Sequence, residues 1–385
     1  MSASRILVTG STGFIGARLC ERLAVDYKLP YRALVRDFSR APRIARLGAE
    51  MVGGHLDDLA SLDRALDGCD TIVHLAYSDG PQTRRLIRAC RKRGIQRFVH
   101  MSSIAVHGAN PGQECAREET ARIGHYPGQE YSNMKAAAER VVQRAIGEGL
   151  RAVILRPTIV YGPYGPFVTS IVDAARERGT LTLLDEGRGV CNAVYVDDVC
   201  DAIRAAIQTE HGVGSAFFVN ADRAVTWREF NLAFANMVEP RPRTVSVRSD
   251  EVHRYWESQR PNLRANIAAV GRLVTSAELH RQLSTVPVFH LLITGSKRAA
   301  KSLLSPERLA ILKDLRATTT HRDAGAGSAV VWPDMGRVTR ECMNVEFSNE
   351  RARTLLGWRP RYDLPAGAAL TRTWLEFANA LAAES

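Results

Sequence analysis

Short apolar runs alternate with longer mixed stretches along the first half of the chain. Residues 5–9, 31–35, 50–53, 71–75, 97–102 and 152–156 are continuous apolar or β-branched runs of strand length. Runs of this kind, with no polar alternation, suit strands buried on both sheet faces. Between them, helical spacing of apolar positions runs over 13–25, 83–93 and 129–146, with a short basic helix ahead of residue 50. Strand–helix alternation implies right-handed crossovers, and so an α/β protein with a doubly wound parallel sheet.

After Pro157 the pattern changes. Gly and Pro cluster over 161–166, and helices are expected near 171–178, 199–209, 227–237, 349–356 and 367–383. This predicts a dinucleotide-type domain over 1–165 and a smaller, mostly α, substrate-binding region over 166–385, with about 193–210 returning to the first domain. Residues 240–341 are the least legible and are read as an atypical basic insertion. They hold 17 Lys and Arg against 9 Asp and Glu, within a chain of net charge +11, and enclose the apolar run Val286-Pro-Val-Phe-His-Leu-Leu-Ile293.

Composition narrows the classes. Apolar residues make up 45% and charged residues 24%, ordinary for a globular protein. The seven cysteines are scattered, odd in number and form no CxxC, which points to reduced thiols in a cytoplasmic protein and to no metal site. The first apolar run is too short for a signal peptide, and no run approaches a membrane span. The basic segment reads as a solvated face, with a phosphorylated substrate or a peripheral membrane contact as further readings. It lacks the interleaved aromatics of a nucleic-acid platform.

Thr9-Gly-Ser-Thr-Gly-Phe-Ile-Gly16 joins the first strand to the first helix. In the spacing TGxxGxxG, Gly10 permits the tight turn, Gly13 lets backbone amides approach a pyrophosphate, and Gly16 allows close helix packing. The helix N-terminus then offers unpaired N–H groups to negative charge. At the end of the second strand, where an acid would accept the 2′-hydroxyl of NAD, the chain has Arg36, followed by Asp37 and Arg40. A guanidinium suits a 2′-phosphate, so NADP is expected, with NAD the alternative.

Tyr131-Ser-Asn-Met-Lys135 opens the long helix over 129–146. The i, i+4 spacing puts phenol and ammonium on one face, and Tyr131 is the only one of ten tyrosines followed by lysine at that distance. An ammonium nearby is expected to lower the phenol from its ordinary value near 10, making Tyr131 a proton donor or acceptor during hydride transfer. Ser102 and Ser103 end the fifth strand, at the carboxyl edge where such sheets bind ligands, and a hydroxyl there can orient a reacting carbonyl.

Together these residues resemble the extended short-chain dehydrogenase/reductase superfamily, in particular its NAD(P)-dependent sugar epimerase/dehydratase group. Further marks are His74-Leu-Ala76, Ser102-Ser-Ile-Ala-Val-His-Gly108, Arg156-Pro-Thr-Ile-Val-Tyr-Gly-Pro163, Val196-Asp-Asp198 and Leu356-Gly-Trp-Arg-Pro360. The resemblance implies a Rossmann fold, with Tyr131 as acid–base residue, Lys135 as helper and Ser103 as orienting hydroxyl. It implies dinucleotide contacts from Gly10, Thr12, Gly13, Phe14, Ile15, Gly16, Arg36, His55, Leu56, Leu75, Ala76, Lys135, Pro157 and Thr158. Tyr77, Ser103, Tyr161 and Asn192 are candidate substrate residues, with His107 and Arg188 beside them. The family pattern further implies a homodimer through the helices at 83–93 and 129–146.

Departures bear on the substrate. Ile104 and Ala105 stand where 4,6-dehydratases carry an acid. Ile159 replaces an Asn that contacts the nucleotide diphosphate, Cys191 falls where an arginine is common, and His55 replaces an acid beside adenine. Only six residues separate Ala76 from Thr83. The leading expectation is a nucleotide-sugar 4-epimerase or 4-ketoreductase. The second is a reductase or dehydrogenase of a bulky apolar ketone or alcohol, of hydroxysteroid, polyketide or lipid-linked type. A non-catalytic dinucleotide sensor is the third, and the intact Ser103–Tyr131–Lys135 set opposes it.

Overall fold

The computed structural model describes residues 5–259 and 332–381. Its centre is a seven-stranded parallel sheet: β1 (Ile6–Thr9), β2 (Tyr31–Val35), β3 (Glu50–Gly53), β4 (Thr71–His74), β5 (Arg97–Met101), β6 (Ala152–Pro157) and β7 (Ala216–Val219). The spatial order is β7-β6-β5-β4-β1-β2-β3. β1, β4, β5 and β6 are buried along their whole length, as their unbroken apolar character requires. Six strands follow the expected runs. β7 is a short addition beside β6 that the apolar pattern did not announce.

Four helices matter for the site: α1 (Phe14–Glu21, continued to Asp26 by a wider turn), α2 (Leu59–Leu66), α3 (Gly80–Lys92) and α4 (Glu130–Gly147). α2 was not expected. Asp58 caps it by accepting from the Ala60 amide, and its Leu62, Ala65 and Leu66 face the core. α3 starts earlier than expected because Asp79 and Gln82 form a reciprocal capping box. The strand order reverses at β1, so the loops after β1 and β4 open a crevice at their carboxyl ends. Register aligns Thr9 with His74 and His74 with His100 across β1, β4 and β5.

Beyond β6 the chain is helical with small strand pairs. Helix Pro166–Arg178 is followed by strand Thr180–Leu184, which pairs in parallel with Arg243–Val247. Helices Val196–Gln208, Trp227–Ala235 and Leu364–Phe377 complete this part. Met1–Ser249 with Pro333–Ser385 forms one compact unit, and Asp250–Trp332 forms a second. Both ends of the basic 240–341 stretch therefore belong to the first unit: Arg243–Val247 as a strand, and Met335–Glu341 as a helix whose Arg337 donates to the Thr182 carbonyl at 2.6 Å. In the second unit, the Tyr255 ring stacks on Trp332 at 4.7 Å. The apolar run 286–293 lies outside the described residues. No helix among the described residues is long and apolar enough to cross a membrane.

Candidate active site

The glycine loop is built as its spacing demands. Gly10 adopts φ +70°, and a Cβ there would stand 2.6 Å from the Ala76 amide nitrogen. A Cβ on Gly16 would stand 2.0 Å from the Gly10 carbonyl oxygen, so this glycine lets α1 close on the loop itself. Gly13 caps α1 in extended conformation with no side-chain acceptor, which leaves the first-turn amides directed at the crevice.

A cavity of about 340 Å³ opens above this turn. Gly10, Thr12, Gly13, Arg36, His55, Leu56, Leu75 and Ala76 all line it, as the sequence predicted for a dinucleotide. Arg40, Tyr77 and Gln82 join them, and no carboxylate does among the described residues. The one acid between the two arginines, Asp37, is held by the hydroxyl and amide of Ser39, at 2.7 and 3.0 Å. A cavity floored by bare backbone, closed to side chains by Gly10 and Gly16 and edged by two guanidiniums, fits a dinucleotide. Phe14 and Ile15 pack instead on the core, and Gly16 lies beneath the loop. Pro157 ends β6, and the Thr158 hydroxyl donates to the Val219 carbonyl at 3.4 Å.

A buried polar chain that sequence reading missed locks this crevice. The Thr83 hydroxyl donates to the Asp79 carbonyl at 2.8 Å, so it must accept from Ser78 at 3.0 Å. Ser78 in turn accepts from His74 Nε2 at 2.9 Å, and His74 Nδ1 accepts from the Thr9 hydroxyl at 2.7 Å. Thr9 Oγ1 itself accepts from the Ala76 amide at 3.3 Å. One neutral tautomer of His74 satisfies every member. Burial, assisted by the Lys135 charge, pushes this imidazole down to about 3. Beside it, His100 stacks at 5.5 Å with both ring nitrogens unpartnered and is also driven down by burial.

The three expected catalytic side chains meet at the end of β5. Ser103 caps the following turn, its hydroxyl accepting from the Ala105 amide at 3.2 Å, and it stands close enough to the Tyr131 phenol to favour its ionised form. Lys135 is 6% exposed and donates to the Met101 carbonyl at 3.0 Å. Tyr131 is 44% exposed, and its ring stacks on that of Tyr77 at 5.5 Å. Tyr77 thus links the cavity it lines to the phenol.

One expectation is corrected here. Lys135 does not lower the phenol; partial burial raises Tyr131, opposed only by Ser103. The ammonium is turned to Met101, and burial brings it down to about 8.

The predicted substrate residues divide. Tyr77 lines the cavity, and Ser103 stands beside the Tyr131 phenol. Tyr161 does not: it is 1% exposed, its hydroxyl donates to the Asp363 carbonyl at 3.1 Å, and its ring packs edge-on against Tyr195 and Phe230. Asn192 is equally interior, donating to the Val345 carbonyl at 2.7 Å and accepting from the Phe347 amide at 2.9 Å. His107 is buried against Phe218 and bonded to the Arg122 carbonyl, while Arg188 is exposed and paired with Glu186. A turn rich in Gly and Pro reads locally as a binding loop, whereas here its Tyr161 completes the core.

Comparison with known proteins shows the family and the fold. The family model described as NAD dependent epimerase/dehydratase family matches residues 6–219. A 4-hydroxy-2-methyl-3-oxo-4-farnesyl-3,4-dihydroquinoline-1-oxide ketoreductase from Stigmatella aurantiaca is 29% identical over 240 residues, 59% of this chain and 71% of that one. A 2-alkyl-3-oxoalkanoate reductase from Shewanella oneidensis is 28% identical over 251 residues, 58% of this chain and 63% of that one. Among solved structures, UDP-glucuronic acid 4-epimerase from Bacillus cereus, in complex with UDP-glucuronic acid and NAD, superposes with a TM-score of 0.62 at 15% identity, covering 97% of this chain and 99% of that one. That likeness establishes the fold.

Proposed function

Since the chain belongs to the NAD dependent epimerase/dehydratase family, and so is an enzyme of the short-chain dehydrogenase/reductase type, we propose that it reduces a ketone on a bulky, largely apolar substrate with NADPH. The observation that carries the reductase reading is the convergence of Ser103 and Tyr131 on the end of β5, joined through Tyr77 to the glycine-floored cavity. A reduced dinucleotide supplies hydride when bound. Tyr131, raised by burial, is protonated at neutral pH and gives its proton to the carbonyl oxygen as the carbon gains hydride, which leaves an alcohol. Ser103 hydrogen-bonds the same oxygen and orients it. A phenol held protonated favours reduction over the oxidising half of an epimerisation.

Arg36 and Arg40, with no carboxylate at the cavity wall, support NADP over NAD. The apolar substrate is supported by the names of the two relatives and by the departures from the sugar-nucleotide pattern. Cys191 is buried, and Asn192 and Tyr161 spend their polar atoms on the chain. This reverses the order of the two leading expectations, and a nucleotide-linked keto sugar is the second reading. In the same proposal, residues 1–165 bind the dinucleotide and 166–385 the substrate. The protein acts in the cytoplasm, where its seven free thiols stay reduced, and assembles as a homodimer through α3 and α4.

The test is NADPH oxidation over a panel holding a long-chain 3-oxo ester, a 3-ketosteroid and a UDP-4-keto sugar. Turnover of an apolar ketone, lost in Tyr131→Phe with dinucleotide affinity retained, is the expected result. Exclusive turnover of the keto sugar would overturn the substrate class.

A further inference from the structure

Lys135 is a charged group in a nearly closed pocket, and its neighbours come from four elements. Tyr131 precedes it by one turn and Glu139 follows by one turn on α4. The Met101 carbonyl and His100 face it from β5, and His74 from β4. The Tyr77 ring centre lies 5.7 Å from Nζ. Glu139 is the one carboxylate in this set. It is wholly buried, and its oxygens accept from four groups. Arg156 of β6 reaches it by Nε at 3.1 and 3.2 Å and by Nη2 at 2.5 Å. Gln143 donates at 3.0 Å, and the Ser102 hydroxyl donates to the other oxygen.

Two consequences follow. Both imidazoles are neutral, so the charges in the pocket are Lys135, Arg156 and Glu139, which sum to +1 and fall to zero when Tyr131 releases its proton. The tripeptide Met101–Ser103 is also a shared template. Met101 holds Lys135, Ser103 stands beside Tyr131, and Ser102 between them is anchored to Glu139. Buried charge needs a partner of opposite sign and a full set of hydrogen bonds, and Glu139 has both.

We propose that Glu139 is a positioning residue of this site, acting as the counter-ion that keeps Lys135 charged while buried and, through Ser102, as the anchor of the strand end that presents Ser103 to Tyr131. Its activity arm rests on the reading of Tyr131 as proton donor; its charge arm does not.

The full chain has six lysines, few enough for carbon-13 labelling at lysine Cε and titration of Lys135 by NMR, the signal assigned by its loss in Lys135→Arg. In the parent, Lys135 titrates at about 8, well below the surface lysines. Glu139→Gln lowers that midpoint by about one pH unit or more. Ser102→Ala leaves the midpoint in place and lowers kcat about tenfold with KM unchanged. An unchanged midpoint in Glu139→Gln overturns the proposal, as does an equal shift in Ser102→Ala. If Glu139→Gln alone does not fold, because Arg156 is left unpaired, the double variant Glu139→Gln/Arg156→Gln is read in its place. There the midpoint must still fall, since Glu139, one turn away on the same helix, is the charge that favours the ammonium, and no fall overturns the proposal equally. The titration needs no substrate, so its failure leaves the reductase reading standing, and absence of ketone turnover leaves the titration standing.

Discussion

Replacing His100 by Phe separates one proton from the acid stability of the fold. His100 is 1% exposed, stacks on His74, and has no partner on either nitrogen among the described residues, so the folded protein holds it neutral. The unfolded chain takes up a proton at this residue below about pH 6.5. The sign follows: the unfolded state binds more protons, so stability is complete above that value and is lost as pH falls toward the depressed folded value. His74 behaves alike, its loss running from about 6.5 down to about 3.

Each group costs about 1.4 kcal/mol per pH unit below about pH 6.5 and almost nothing above it, so between about pH 7.5 and pH 5.5 the pair removes about 3 kcal/mol. That is a large part of an ordinary stability of about 5–15 kcal/mol. In His100→Phe the loss over the same interval falls by about 1.4 kcal/mol, whatever overpacking does to the baseline. Asp198, whose burial raises its carboxyl to about 6 and so works in the opposite direction, is common to both proteins and cancels. Urea unfolding followed by tryptophan fluorescence at the two pH values measures the difference. Equal losses in parent and variant would refute the reasoning, because His100 would then have to be protonated, or free to become so, inside the fold.

Three further outcomes are expected. Gly16→Ala places a methyl 2.0 Å from the Gly10 carbonyl and forces the loop off α1, so NADPH affinity measured by nucleotide fluorescence falls about a hundredfold or more. Arg36→Asp weakens NADPH by about ten- to a hundredfold while NADH binding holds or improves, and calorimetry with the two nucleotides that gave equal changes would exclude Arg36 as the 2′-phosphate ligand. Residues Arg84 and Arg88 of α3 and Arg140 and Arg144 of α4 are exposed, so a dimer through these helices brings like charges together. Its dissociation constant by sedimentation falls as salt is raised from about 0.05 to 0.5 M, and a constant that rises with salt would point to a different interface.

By itself the sequence determined what depends on local spacing. Continuous apolar runs specified six of the seven central strands, five of them covered on both faces, where a strand tolerates no polar alternation. The interval between Gly10, Gly13 and Gly16 specified a turn that only bare backbone can make, and the four-residue step from Tyr131 to Lys135 put both on one helical face. Tertiary structure decided the partners. Tyr161, in a Gly- and Pro-rich turn, and Asn192 look like binding residues, yet distant segments at Asp363 and at Val345 and Phe347 claim their polar atoms. Glu139 sits one turn past Lys135 and looks like an ordinary helix-surface acid until β6 brings Arg156 against it. The direction in which Tyr131 titrates was likewise undecided by spacing, because it depends on how much water the fold removes and on where the ammonium turns. Periodicity reports which residues are buried; only packing reports what each buried polar group finds when it gets there.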